Sequence, residues 1–120
     1  MPKLLLIDDD EELCSELAEA FRAAGYTVDN TSDSVEGSIL IKKNIYDVAL
    51  FDYKMKGLTG IDLLKMLKGI NPACAAFLVS GRTGLDALIK DEHVGELVNG
   101  VISKPFNVEA LLKKVRSAVK

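Results

Sequence analysis

The sequence contains no tryptophan, a single histidine, two cysteines and three prolines in 120 residues. Cys14 and Cys74 stand far apart and at no metal-ligand spacing, which excludes a disulfide scaffold and a cysteine zinc site. They read as reduced, small apolar residues of a cytosolic protein. His93 has no serine or cysteine near it in sequence, so it reads as an ordinary surface or helix residue and not as a catalytic base. There is no excess of positive charge: 15 Lys and Arg stand against 18 Asp and Glu, a net charge of −3. That balance gives no general attraction to nucleic acid or to anionic membrane, so direct nucleic-acid binding by this chain is not expected. No apolar run approaches the ~20 residues of a membrane span. The apolar stretch of Met1-Pro2-Lys3-Leu4 up to Asp8 is too short for a signal peptide. The expected compartment is the cytoplasm, with no membrane association.

What is present is an ordinary globular mixture, 48% hydrophobic and 28% charged. A chain of this size buries roughly two-thirds of its unfolded surface, and residues 1–120 read as one domain. Leu4-Leu5-Leu6-Ile7 is a short continuous apolar run of the kind found in strands covered on both faces. Leu13, Leu17 and Phe21 then recur at helical spacing, and Gly25 is placed to end that helix. Tyr26-Thr27-Val28 predicts a second strand. Ser32 to Lys43 predicts a weaker helix with Val35, Ile39 and Leu40 on its apolar side. Val48-Ala49-Leu50-Phe51 is a third strand, and Ile61, Leu63, Leu64 and Leu67 mark a helix stopped by Gly69 and Pro72. Ala75 to Val79 is a fourth strand, a helix lies within Leu85 to Leu97, and Val101-Ile102 is a fifth strand. Asn107 is a suitable N-cap for a last helix whose apolar face is Val108, Leu111, Leu112, Val115 and Val119. Five strands alternating with five helices predict a parallel sheet covered on both faces.

In such a sheet ligands bind beyond the carboxyl ends of the strands, where strand order reverses. The residues that end the apolar runs are therefore the candidates: Asp8, Asp9 and Asp10 after the first, Asp52 after the third, Ser80-Gly81 after the fourth and Lys104-Pro105 after the fifth. Converging carboxylates raise one another's pKa and call for a cation. Oxygen donors without His or Cys suit a hard ion such as Mg²⁺. An ammonium and a hydroxyl opposite them suit a phosphoryl group, toward which a carboxylate can act as nucleophile. Asp10, Glu11 and Glu12 read instead as the acidic first turn of a helix. The loop from Lys54 to Gly60 contains glycine but matches no phosphate-cradling pattern.

Taken in order, Leu5-Leu6-Ile7-Asp8-Asp9, Asp47-Val48-Ala49-Leu50-Phe51-Asp52 with Met55 and Gly60, Leu78-Val79-Ser80-Gly81 and Ser103-Lys104-Pro105-Phe106 make the whole chain resemble the receiver domain of two-component response regulators. The resemblance implies a flavodoxin-like, doubly wound five-stranded parallel sheet of order 2-1-3-4-5. It implies that Asp52 is the phosphoacceptor, that Asp9 ligates Mg²⁺ directly with Asp8 beside it, and that Asp52 and the Lys54 backbone carbonyl complete the protein's ligand set. It implies that Ser80 is the switch hydroxyl, that Lys104 pairs with the phosphoryl group, and that the Lys104-Pro105 bond is cis. The implied partners are a sensor histidine kinase or phosphotransfer protein upstream, and a downstream effector or output domain. The implied activity is at most a slow self-catalysed phosphotransfer and dephosphorylation, with signalling through the surface of the fourth helix, fifth strand and fifth helix.

Several positions depart from the family pattern. Val101 replaces an aromatic switch residue, Lys56 stands where proline is common and Thr59 where aspartate is common. The stretch between Ser80 and Lys104 is about two residues longer than the pattern. Lys54 and Arg82 lie two residues beyond the acceptor and the switch hydroxyl, where they are candidates for tuning the lifetime of the phosphorylated state. Two alternatives remain beside this reading. One is a phosphorylation-independent interaction module on the same fold. The other is a small haloacid-dehalogenase-like phosphatase built on Asp8 and Asp10, for which Glu12 is the wrong residue and Asp52 has no use.

Overall fold

The computed structural model describes residues 2–81, 97–104 and 106–119. The five strands are β1 (Lys3–Ile7), β2 (Thr27–Thr31), β3 (Val48–Asp52), β4 (Ala75–Ser80) and β5 (Gly100–Ser103). All neighbouring pairs are parallel and the order is β2-β1-β3-β4-β5. Four helices occur among the described residues: α1 (Glu11–Ala23), α2 (Ser34–Lys43), α3 (Gly60–Ile70) and α4 (Val108–Ala118). The helix expected within Leu85 to Leu97 lies, apart from Leu97, outside the described residues. So do Arg82, His93 and Pro105, and with Pro105 the bond expected to be cis. None of the described helices is long and apolar enough to cross a membrane.

The continuous apolar strands are buried on both faces because their side chains alternate between two cores. Leu4 and Leu6 join Leu17, Phe21, Val48, Leu50, Phe77, Leu111 and Val115 on the side covered by α1 and α4. Leu5 and Ile7 join Ala49, Phe51, Ile61, Leu64, Leu67 and Leu78 on the side covered by α2 and α3. Cys14 and Cys74 are free, buried and in opposite cores, as their small apolar character predicts. Burial is the leading cause that raises both thiols' pKa, Cys74 to about 11, so neither is a ready thiolate near neutral pH.

The helix ends follow local capping chemistry. Asp10 accepts from the Leu13 amide at the start of α1, and Asn107 from the Ala110 amide at the start of α4. Gly25 ends the α1 segment at φ 101°, a conformation open to glycine. α2 begins at Ser34 rather than Ser32, because Asp33 caps it by accepting from Val35 and Glu36. α3 runs through Gly69 and ends at its cap Asn71, so glycine did not stop it. β2 extends to Thr31, since Asp29 and Asn30 pair with β1 as edge residues.

The apolar side expected of α2 is corrected. Val35 and Ile39 are 54% and 45% exposed, and the buried residues are Ser34, Gly37, Ser38 and Ile41. The reason is the close approach of α2 to β1: a Cβ on Gly37 would stand 2.2 Å from Ile7 Cδ1. Small residues face β1 there and Val35 and Ile39 turn outward, while Ile41 and, in part, Leu40 pack into the core.

Gly60 and Gly69 make a contrasting pair. A Cβ on Gly60 would lie 2.5 Å from the Asp52 carbonyl oxygen, whereas Gly69 has nothing within 4 Å. Gly60→Ala should lower unfolding free energy by about 1–3 kcal/mol through overpacking against backbone. Gly69→Ala should raise it by roughly 0.5–1 kcal/mol, as alanine restricts the unfolded chain and favours the helix. Urea denaturation of the two variants checks both signs.

Candidate functional site

The register of the sheet brings the expected site residues together. Ile7 pairs with Phe51, so Asp8 follows beside Asp52; Asp52 pairs with Val79, and Ser80 pairs with Ser103. The Lys104 amide donates to the Ser80 carbonyl at 3.0 Å, extending the β4–β5 ladder by one step. The strand order reverses between β1 and β3, which is where the fold leaves a crevice at the carboxyl edge.

Asp8 and Asp52 are 2% and 6% exposed. One ammonium serves both: Lys104 Nζ lies 3.1 Å from Asp8 Oδ2 and 3.5 Å from Asp52 Oδ1. Asp8 Oδ1 also accepts the Asp10 amide at 3.0 Å, and the Asp8 amide donates to the Thr31 carbonyl. Burial first, then the Asp8 charge, push the Asp52 carboxyl up to about 7; Lys104 opposes this, and Asp9 adds to it by hydrogen bond and charge. For Lys104, desolvation acts to lower the pKa, but hydrogen bonds and attraction to Asp8 and Asp52 prevail and raise it. The ammonium therefore stays charged throughout the neutral range.

Asp8, Asp9 and Asp52 each offer a carboxylate oxygen, and these atoms lie within 4.8 Å of one another. Hard oxygen donors from three carboxylates, one of them with its pKa raised by burial and by a neighbouring carboxylate, fit a small divalent cation. A pocket of about 640 Å³ opens above them, lined by Asp9, Asp10, Asp52, Lys54, Ser80, Gly81 and Lys104. It has room for a phosphoryl-sized group. Lys54 is exposed at its rim, while Ser80 is buried at its base. Val101 packs half-buried against the core beneath α2 and α3. Asp10 caps α1 through its Oδ1 and also reaches the pocket lining.

Sequence reading did not single out Ser34. Its hydroxyl donates to the Lys56 carbonyl at 2.7 Å and accepts from the Leu58 amide at 3.0 Å. A serine opening a helix gives no sign in sequence of a bond to residues more than twenty positions away. Thr59 and Asp62 form a reciprocal capping box at the start of α3, which accounts locally for a threonine at that position.

Comparison with known proteins agrees with this geometry. A sequence model of the response regulator receiver domain matches residues 4–116. Sporulation initiation phosphotransferase F of Bacillus subtilis (strain 168) is 27% identical over 118 residues, covering 98% of this chain and 90% of that protein. The crystal structure of a CheY-like response regulator receiver domain protein from Methanospirillum hungatei JF-1 matches with a TM-score of 0.89 at 26% identity, covering 98% of this chain and 92% of that one. The response regulator TrrA from Thermotoga maritima, solved in complex with Mg²⁺-BeF, matches in fold with a TM-score of 0.85 at 19% identity, covering 99% of this chain and 100% of that one. The chain spans about half the length of curated relatives that are transcriptional regulatory proteins.

The raised pKa of Asp52 sets a pH dependence in metal-free protein. A carboxyl whose folded pKa of about 7 exceeds the ordinary 3.8 favours folding fully below pH 3.8, and that contribution is lost as pH rises through 7. Asp52→Asn removes the titration. In chelator, the wild type should lose stability relative to D52N between pH 4 and pH 8, by on the order of 2–4 kcal/mol. Denaturant midpoints across that range measure the difference. Lys104 titrates in a window above pH 10.5 and does not interfere.

Proposed function

The chain belongs to the response regulator receiver domain family, and on that footing we propose that it is a phosphoacceptor signalling domain whose acceptor is Asp52. The observation that carries the reading is the buried Asp52 carboxylate, grouped with Asp8 and Asp9 and bridged to Asp8 by the Lys104 ammonium. Asp8, Asp9 and Asp52, with the backbone carbonyl of Lys54, would hold Mg²⁺. When bound, the ion supplies positive charge that offsets the carboxylates and the phosphoryl oxygens.

The remaining chemistry belongs to the chain's own groups. An Asp52 carboxylate oxygen attacks phosphorus in line; the new O–P bond forms as the donor's bond to phosphorus breaks, and that electron pair leaves with the donor. The donor is a histidine kinase or a phosphotransfer protein. The Lys104 ammonium and the Ser80 hydroxyl belong to residues that line the pocket and would pair with phosphoryl oxygens. The protein is thus a stoichiometric acceptor with slow self-catalysed turnover, and residues 1–120 act as one unit.

Phosphorylation adds about −1.5 to −2 charge beside Asp52. Lys104 heads the strand end of β5, and Ser80-Gly81-Arg82 begins the connection that follows β4. These are the parts that would carry the change to the surface of β5 and α4, where a downstream effector or output domain would read it. Val101 has no ring to rotate, so the response is led by the loop after Ser80.

Incubation with acetyl phosphate and Mg²⁺ should add one phosphate to the wild type and none to Asp52→Asn, as read by intact-protein mass spectrometry. An equal adduct on the variant would move the acceptor elsewhere.

Lys54, exposed at the pocket rim, and Arg82 are proposed to prolong the phosphorylated state. Cationic side chains at these two sequence positions would pair with phosphoryl oxygens, and their long stems would crowd the path of water. The Lys54→Asn, Arg82→Ala double variant should shorten the half-life several-fold, about 1 kcal/mol in barrier. Decay followed by mass spectrometry after donor removal tests this, and an unchanged half-life would exclude shielding by the pair.

A further inference from the structure

The loop between β3 and α3, residues 53–59, carries Lys54 to the pocket. Its two ends are secured by main-chain bonds: the Tyr53 amide donates to the Val79 carbonyl, and the Gly60 amide to the Tyr53 carbonyl. The Met55 side chain is sunk in the core. Between Met55 and Thr59, the turn at Gly57 has φ +85°. Ser34, 2% exposed at the first position of α2, ties this turn down from the neighbouring helix on the same face of the sheet. Its hydroxyl spends its proton on the Lys56 carbonyl and a lone pair on the Leu58 amide, bracketing Gly57 from both sides. The fit leaves no slack, since a Cβ on Gly57 would stand 2.9 Å from Ser34 Oγ.

Ser34 is itself held on the side of the acidic cluster. The Asp33 amide donates to Thr31 Oγ1, and the Thr31 carbonyl accepts from the Asp8 amide. Asp33 caps the helix that Ser34 opens. Gly37 lets α2 lie close enough to β1 for Ser34 to reach the loop. Hydrogen bonds at Thr31 and Ser34, joined by the short covalent stretch 31–34, therefore connect Asp8 at the end of β1 to the turn just beyond Lys54.

We infer that Ser34 is a positioning residue for the cation site: its bracket on Lys56 and Leu58 holds the Lys54 backbone where it can serve as a ligand beside Asp52. This rests on the reading of the acidic cluster as a Mg²⁺ site. Metal affinity responds to such outer partners because a misplaced carbonyl must be reorganised each time the ion binds.

The test compares Ser34→Ala, Ser34→Thr and Ser38→Ala in the full chain. Ser38 is a second buried hydroxyl of α2, but it bonds only the Val35 carbonyl of its own helix. Mg²⁺ titration followed by NMR reads affinity, and amide hydrogen exchange in chelator reads the Leu58 amide without metal. S34A should weaken Mg²⁺ binding by about tenfold, the lower end of what loss of an outer-shell partner costs, and should speed exchange at Leu58. S34T, which keeps the oxygen, should stay near the wild type on both readouts. S38A should lose stability without either change. Wild-type affinity in S34A, equal weakening in S38A, or an S34T as weak as S34A would each overturn the role of Ser34. If Asp9→Ala also bound Mg²⁺ like the wild type, the cation site itself would be misassigned; loss of binding in D9A beside an unaffected S34A would overturn the Ser34 inference alone.

Discussion

Asp8 and Asp52 are buried next to each other with one ammonium, Lys104, within reach of both. Two carboxylates and one cation in a poorly hydrated site do not balance, and the imbalance grows when Asp9 is counted. Such an arrangement is unfavourable for stability alone, because desolvating charge costs several kcal/mol per ion unless each is fully compensated. The chain meets part of that cost by raising the Asp52 pKa to about 7 and part by the Asp10 amide on Asp8. The remainder is a standing demand for positive charge, which a divalent cation would meet.

The rest of the fold keeps the charges in that position. A sheet buried on both faces allows little adjustment, since each strand is wedged between two cores. The parallel register fixes which strand ends stand side by side. Gly60 permits α3 to start directly against the Asp52 backbone, and Gly37 permits α2 to lie against Ile7. Both close approaches draw the loops of the carboxyl edge inward around the acidic cluster. The polar contacts of Thr31, Asp33 and Ser34 then join the ends of β1 and β2 to the loop after β3.

Lys104 links this site to the remainder of the molecule. It follows β5, its amide extends the ladder to Ser80, and its ammonium spans both buried carboxylates. Any group that competes for the ammonium acts on β5 and on the end of β4 together.

Much of this was legible in the chain itself. Short apolar runs ending in Asp8, Asp52, Ser80 and Lys104 specify buried parallel strands, because only a sheet covered on both faces accommodates unbroken apolar residues. The helix caps at Asp10 and Asn107 and the end of α1 at Gly25 are local effects, determined by a few neighbouring backbone groups. Three features were decided only in three dimensions. The face of α2 depends on how near that helix lies to β1, and the closeness made by Gly37 reversed what the large apolar residues Val35 and Ile39 indicated. The strong upward shift of Asp52 depends on burial and on Asp8, which register places beside it across the sheet. The bracket by Ser34 joins residues separated by more than twenty positions, and no periodicity or motif records a bond of that span. Sequence determines the elements and the polar residues at their ends, since those are set by local propensity and burial pattern. Distances between the ends, and with them the electrostatics of the site, exist only once the packed sheet has brought the strands together.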